Sequence, residues 1–203
     1  MVGTTIEWYD FFIFAQAAGL VFAGLYFGPL EGESPGLAQL VAWATIGISF
    51  FFRPLGAVIA GRLGDRIGRK AMLVFTLVMI SSATALIGLL PTYAQIGVWA
   101  PILLMLLRIL QGFSAGGEWG GAALMAVEHA PVGRRGLWGA YPQIGVPVGM
   151  ILATLVLFLL RSSMPPEAFL AWGWRIPFLL SVVLIVVGTS SGRQSPKAPS
   201  SGA

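Results

Sequence analysis

Along this chain, long apolar runs alternate with short polar or Gly- and Pro-rich breaks. A helix that crosses a bilayer needs about 20 mostly apolar residues, because the hydrocarbon offers its backbone no partner but itself. Six runs are long enough, at residues 2–27, 37–60, 71–90, 100–127, 137–160 and 171–187. The charge-free stretch 71–107 is too long for one span, and the Pro91 to Pro101 break divides it into a helical hairpin. The pattern predicts an all-α membrane protein of six transmembrane helices. Residues 189–203 (T-S-S-G-R-Q-S-P-K-A-P-S-S-G-A) are too polar to span or pack and read as a disordered tail.

Composition agrees with a lipid environment, since 57% of the 203 residues are hydrophobic and 10% charged, against about 25% charged in a soluble domain. The net charge of +4 would suggest nucleic-acid binding in a soluble protein. Here most of the 12 Lys and Arg residues lie in two hydrophilic loops and the tail. Such a bias marks cytoplasmic segments and excludes a nucleic-acid partner. Segments 31–35 and 91–97 lack Lys and Arg, so both termini are expected on the cytoplasmic side. Trp8, Tyr26, Tyr93, Trp99, Trp138, Trp172 and Trp174 sit near span ends, as aromatic belts do. With no Cys and one His, neither a disulfide framework nor a conventional zinc site is expected. The first span lacks a cationic lead-in and reads as retained rather than as a cleaved signal.

Ionisable groups inside a span cost about 2.5–3.5 kcal/mol each on the insertion scale, so each is a functional candidate. They are Glu7 and Asp10 in span one, Arg53 in span two, and Arg108 and Glu118 in span four. Glu7 and Asp10, three residues apart, share a helix face and could hold one proton between them. Arg108, Gln111, Ala115 and Glu118 form a polar stripe expected to face a cavity, beside a stripe of Gly112, Gly116 and Gly120 suited to close helix packing. Two readings of the charges stand: proton and substrate handling, or interhelical salt bridges that only orient the bundle. His129, beside Glu128 at a loop edge, reads as interfacial. In span five, Gly139, Gly145, Pro147 and Gly149 read as a packing kink.

Between spans two and three lies G-R-L-G-D-R-I-G-R-K, residues 61–70, in which the glycines permit tight reversal and Asp65 could cap the next helix or pair with neighbouring cations. This segment resembles the signature loop between helices two and three of the major facilitator superfamily. E-W-Y-D-F (7–11), R-P-L-G (53–56), R-I-L-Q-G-F-S-A-G-G-E-W-G-G-A (108–122) and G-W-R-I-P-F-L-L-S (173–181) resemble the metabolite:proton symporters of that superfamily, which include shikimate and alpha-ketoglutarate transporters.

The resemblance implies the N-terminal half-bundle of a twelve-helix fold working by alternating access in a bacterial-type inner membrane. It implies a proton-coupled symporter rather than an enzyme, with the proton as coupling ion and no other cofactor. Glu7, Asp10 and Glu118 are the expected proton-coupling groups; Arg53, Arg108 and Gln111 are expected to bind a small carboxylate substrate. Gly61, Asp65, Arg66, Gly68, Arg69 and Lys70 are the expected conformational latch. Two departures from the resemblance, a short lead-in before Glu7 and no second half, suggest truncation. The other readings are a transport-inactive half or interaction module, completed by a second copy or a separate C-terminal half, and a pH-independent uniporter.

Overall fold

The computed structural model describes residues 2–32, 34, 36–128 and 135–183, and side chains outside 2–3, 69–70, 118–139 and 141–142. The described residues are helical almost throughout. Helices α1 (Val2–Ala17) and α2 (Ala23–Glu31) flank a π-helical turn, Ala18–Phe22, and together make the first span, Thr4–Glu31. Then follow α3 (Leu37–Ile67), α4 (Arg69–Leu89), the short α5 (Tyr93–Ile96), α6 (Trp99–Glu128), α7 (Arg135–Ser163), the short α8 (Pro166–Ala171) and α9 (Gly173–Val183). Among the described residues, five helical spans are long and apolar enough to cross a membrane, and α9 is a shorter apolar helix. The expected C-terminal end of the sixth run, residues 184–187, the tail 189–203 and His129 lie outside the described residues.

The segment read as a loop between spans two and three is mostly helix. Helix α3 continues to Ile67, and a single residue, Gly68 at φ 96°, separates it from α4. Hydropathy marks where a helix leaves the hydrocarbon, not where its hydrogen bonding stops; Gly68 ends α3 because a left-handed φ costs glycine little. Asp65 does not cap α4: the N-cap residue is Gly68, with no side-chain cap.

Helices in lipid gain little from hydrophobic burial against one another, so small residues that let backbones approach do much of the packing. The most extensive contacts join α3 to α6, α1 to α7 and α4 to α6. At the first, a Cβ on Gly112 would stand 2.0 Å from the Ser49 carbonyl oxygen, and one on Gly116 would stand 2.0 Å from that of Arg53. Gly56 returns the fit, with Phe113 O 1.9 Å from its would-be Cβ. At the second, Gly145 lies against Thr4 and Gly149 against Thr5 and Tyr9, so two span-five glycines serve packing. The surroundings of Gly139 and Gly120 lie outside the described residues.

An aromatic cluster of Phe22, Tyr26, Trp174 and Phe178 closes the end of the bundle expected to face outward. There the Leu90 carbonyl accepts from both Tyr26 Oη and Arg175 Nη2, each at 3.2 Å. Tyr26 and Trp174 are therefore wholly buried, not belt residues at the lipid boundary; Trp99 and Trp172 are exposed as such residues would be.

Candidate functional site

Three helices bring the charged candidates to one place, and a fourth, α4, lines it. Glu7 and Asp10 project from α1, Arg53 from α3, and Arg108 and Gln111 from α6, around an internal volume of about 10 Å³ that Ser49 and Ile80 also line. That is about the room one water molecule needs. Glu7, Asp10, Arg108 and Gln111 are all at most 3% exposed. Burial at this level requires partners, and the site supplies them unevenly.

Glu7 Oε1 lies 3.4 Å from Arg53 Nη2, the one ion pair among the described residues. It ties α1 to α3. The Arg53 guanidinium also stands over the Phe50 ring, 4.7 Å from its centroid, a placement that offsets part of its desolvation. Asp10 is held differently: its Oδ2 accepts from Thr84 Oγ1 of α4 at 2.9 Å. Thr84 Oγ1 in turn accepts from Gln111 Nε2 at 2.6 Å, and Gln111 Oε1 accepts from Arg108 Nη1 at 2.8 Å. Arg108 lies over the Phe14 ring at 3.7 Å. Glu7 and Asp10 thus have separate partners rather than a shared one.

Among the buried polar atoms left without a hydrogen bond are Glu7 Oε1 and Oε2, Asp10 Oδ1, Arg53 Nε, and Arg108 Nε and Nη2. Nε and one terminal nitrogen form the edge with which a guanidinium grips a carboxylate through two parallel bonds. Arg108 therefore presents an unengaged bidentate edge at the centre of the site.

Glu118 has its side chain outside the described residues, as do Arg69 and Lys70. The other expected latch residues, Gly61, Asp65, Arg66 and Gly68, are exposed around the α3–α4 junction, two or more helical turns beyond Arg53. Asp65 has no ion-pair partner among the described residues. Thr84 was missed by the sequence reading, and so was Ser181, which lies beside Asp10. Both are hydroxyls that hydropathy ignores; the cluster S-S-A-T at 81–84, within an otherwise apolar span, was the available signal.

A family model described as "Sugar (and other) transporter" matches residues 1–199. The chain is 50% identical over 184 residues to the shikimate transporter of Escherichia coli K12, covering 91% of this chain and 41% of that protein. It is 47% identical to the inner membrane metabolite transport protein YhjE of the same organism, covering 93% of this chain and 42% of that protein. A glycine betaine/proline/ectoine/pipecolic acid transporter of Dickeya dadantii is 41% identical, over 92% of this chain and 36% of that protein. In fold, the chain matches the inward-open xylose transporter XylE of E. coli with a TM-score of 0.80 at 18% identity, over 98% of this chain and 47% of that one. The chain thus spans less than half the length of the curated relatives it matches.

Proposed function

Because the chain belongs to the sugar (and other) transporter family of the major facilitator superfamily, a family of membrane transporters and not of enzymes, we propose that it forms the N-terminal half of a proton-coupled symporter for a small carboxylate. The observation that carries this reading is the pairing of roles within one buried site. Asp10 is a wholly buried acid on a hydrogen-bonded chain, and Arg108 holds a free bidentate edge beside it. An acid that can take up a proton inside the bundle is what coupling to a proton gradient needs, and the arginine edge is what a carboxylate needs.

The relatives favour the same chemistry. Shikimate, proline, betaine and pipecolic acid, named for the relatives, each carry one carboxylate, whereas xylose, named for the structural match, carries none. Arg53, held by Glu7, adds positive potential to the entry of such an anion. Both termini face the cytoplasm of a bacterial-type inner membrane in this reading, with Glu118 a further proton-coupling candidate and the segment 61–70 a latch toward a second half.

The test is uptake of labelled shikimate, betaine and xylose into proteoliposomes carrying the chain joined to the C-terminal half of the E. coli shikimate transporter. A carboxylate should accumulate when the outside is made acid, and Asp10→Asn should abolish accumulation while leaving exchange at equal pH. Uptake indifferent to the gradient would instead identify a uniporter.

The alternative reading is a transport-inactive half or interaction module. It is separated by reconstituting the chain alone: a monomer without flux supports it, and acid-driven flux from a dimer removes it.

A further inference from the structure

The hydrogen bonds between Arg108 and Asp10 all run in one direction. Arg108 Nη1 donates to Gln111 Oε1, Gln111 Nε2 donates to Thr84 Oγ1, and Thr84 Oγ1 donates to Asp10 Oδ2. No direct ion pair joins the two charges among the described residues. The guanidinium and the carboxylate are instead connected through a neutral amide and a neutral hydroxyl, each bond polarising the next.

Thr84 is the only link with a choice. Its hydroxyl has one proton and two lone pairs, and that proton has two acceptors at equal distance, Asp10 Oδ2 and the Ile80 carbonyl oxygen, both at 2.9 Å. While Asp10 is a carboxylate, charge assistance draws the proton toward Oδ2. Once Asp10 takes a proton on Oδ2, that oxygen becomes the donor. Thr84 must then accept from it and turn its own proton to Ile80 O. The hydroxyl oxygen, now accepting from both Asp10 and Gln111, is a poorer acceptor for Gln111, and the pull on Arg108 through the amide slackens.

We infer that Thr84 is the switch through which the protonation of Asp10 is reported to Gln111 and Arg108, so that loading the proton loosens the hold of Gln111 on Arg108 Nη1 and lets the guanidinium turn its unengaged edge to an anion. The inference rests on the proton-coupling reading of Asp10 and adds a positioning residue that the reading does not contain. The charged and polar groups that face Asp10 are Glu7 on its own helix, Arg108 on α6, Thr84 on α4 and Ser181 on α9. Arg53 of α3 acts on it through Glu7, and α7 contributes no buried charge among the described residues.

The experiment is an acid-minus-neutral infrared difference spectrum of the full chain in phosphatidylethanolamine and phosphatidylglycerol vesicles, which does not require transport. Asp10→Asn identifies the Asp10 carbonyl band, and Arg108→Lys identifies the guanidinium band that responds with it. In Thr84→Val, an isosteric change, the Asp10 band should persist at higher wavenumber while the Arg108 response falls to a third or less; Thr84→Ser should restore both. Thr84→Ala gives the same comparison should the valine variant not fold. An unchanged Arg108 response in the valine or alanine variant, with the Asp10 band present, overturns the switch and leaves proton coupling standing. Absence of the Asp10 band between pH 5 and 9 overturns both.

Discussion

At the scale of single residues, Glu7 and Arg53 show how unequal the two ends of one ion pair can be. The Glu7 side chain is 2% exposed and that of Arg53 23%. A guanidinium left alone can still reach water, whereas the carboxylate cannot. Arg53→Met should therefore destabilise by about 3 kcal/mol at neutral pH, the cost of stranding a buried charge, and Glu7→Gln by about 1 kcal/mol, the loss of an ion pair whose other end still reaches water. The Arg53→Met loss should shrink as pH falls, because protonating Glu7 removes the stranded charge; thermal melts in detergent at pH 5 and 8 check the sign. Arg108→Lys keeps the charge but loses the planar fork, and the carboxylate's apparent affinity in the uptake assay should drop about tenfold, equivalent to about 1.4 kcal/mol. Asp10, Glu7, Arg53, Arg108 and Gln111 could be singled out from the sequence because a polar group inside a span is expensive, and expense is visible in a list of residues. Thr84 is less visible, because a hydroxyl can satisfy itself on its own helix, as Thr84 does on Ile80 O, and so carries no such penalty; only its place in the cluster 81–84 sets it apart.

At the scale of helices, Gly112 and Gly116 seat α6 directly on the backbone of α3. Gly112→Val would drive a side chain into the Ser49 carbonyl, a backbone atom that cannot swing aside, and should lower stability by at least about 2 kcal/mol. Gly47→Ala, where a Cβ meets nothing within 4 Å, should stay within about 0.5 kcal/mol of the parent; melting temperatures of the two variants in one detergent make the comparison. The stripe was legible because four-residue spacing of small residues has a mechanical meaning in lipid. The helix boundaries were not: the charges of 62–66 read as water-exposed loop, yet a helix emerging from the membrane can keep turning in water, and only Gly68 breaks it. The π-helical turn Ala18–Phe22 was likewise invisible, since nothing in A-G-L-V-F separates it from ordinary helix; its Ala18 carbonyl is met by Gln39 Nε2 of α3 at 3.1 Å. The two glycine-seated pairs, spans one with five and two with four, exchange under the inverted three-helix repeat found in halves of this superfamily.

At the scale of the whole molecule, the six-run pattern and the family resemblance were enough to anticipate the half-bundle, because lipid leaves a chain so few options. The site's enclosure was not anticipated, since it depends on how four helices tilt together. Orientation has a direct test that the absence of cysteine makes clean: in intact cells a membrane-impermeant maleimide should label Gln95→Cys, and should label Gly61→Cys only after permeabilisation. The reverse pattern would invert the proposed topology. The one-residue joint at Gly68 carries a further consequence for any motion of this bundle. Two long helices hinged with no slack behave as the arms of a lever: α4 carries Thr84, and α3 carries Arg53 together with the seat of α6. Neither arm can swing far at the Gly68 end without dragging the other, so a movement of α4 near Thr84 reaches α3 near Arg53 as a displacement.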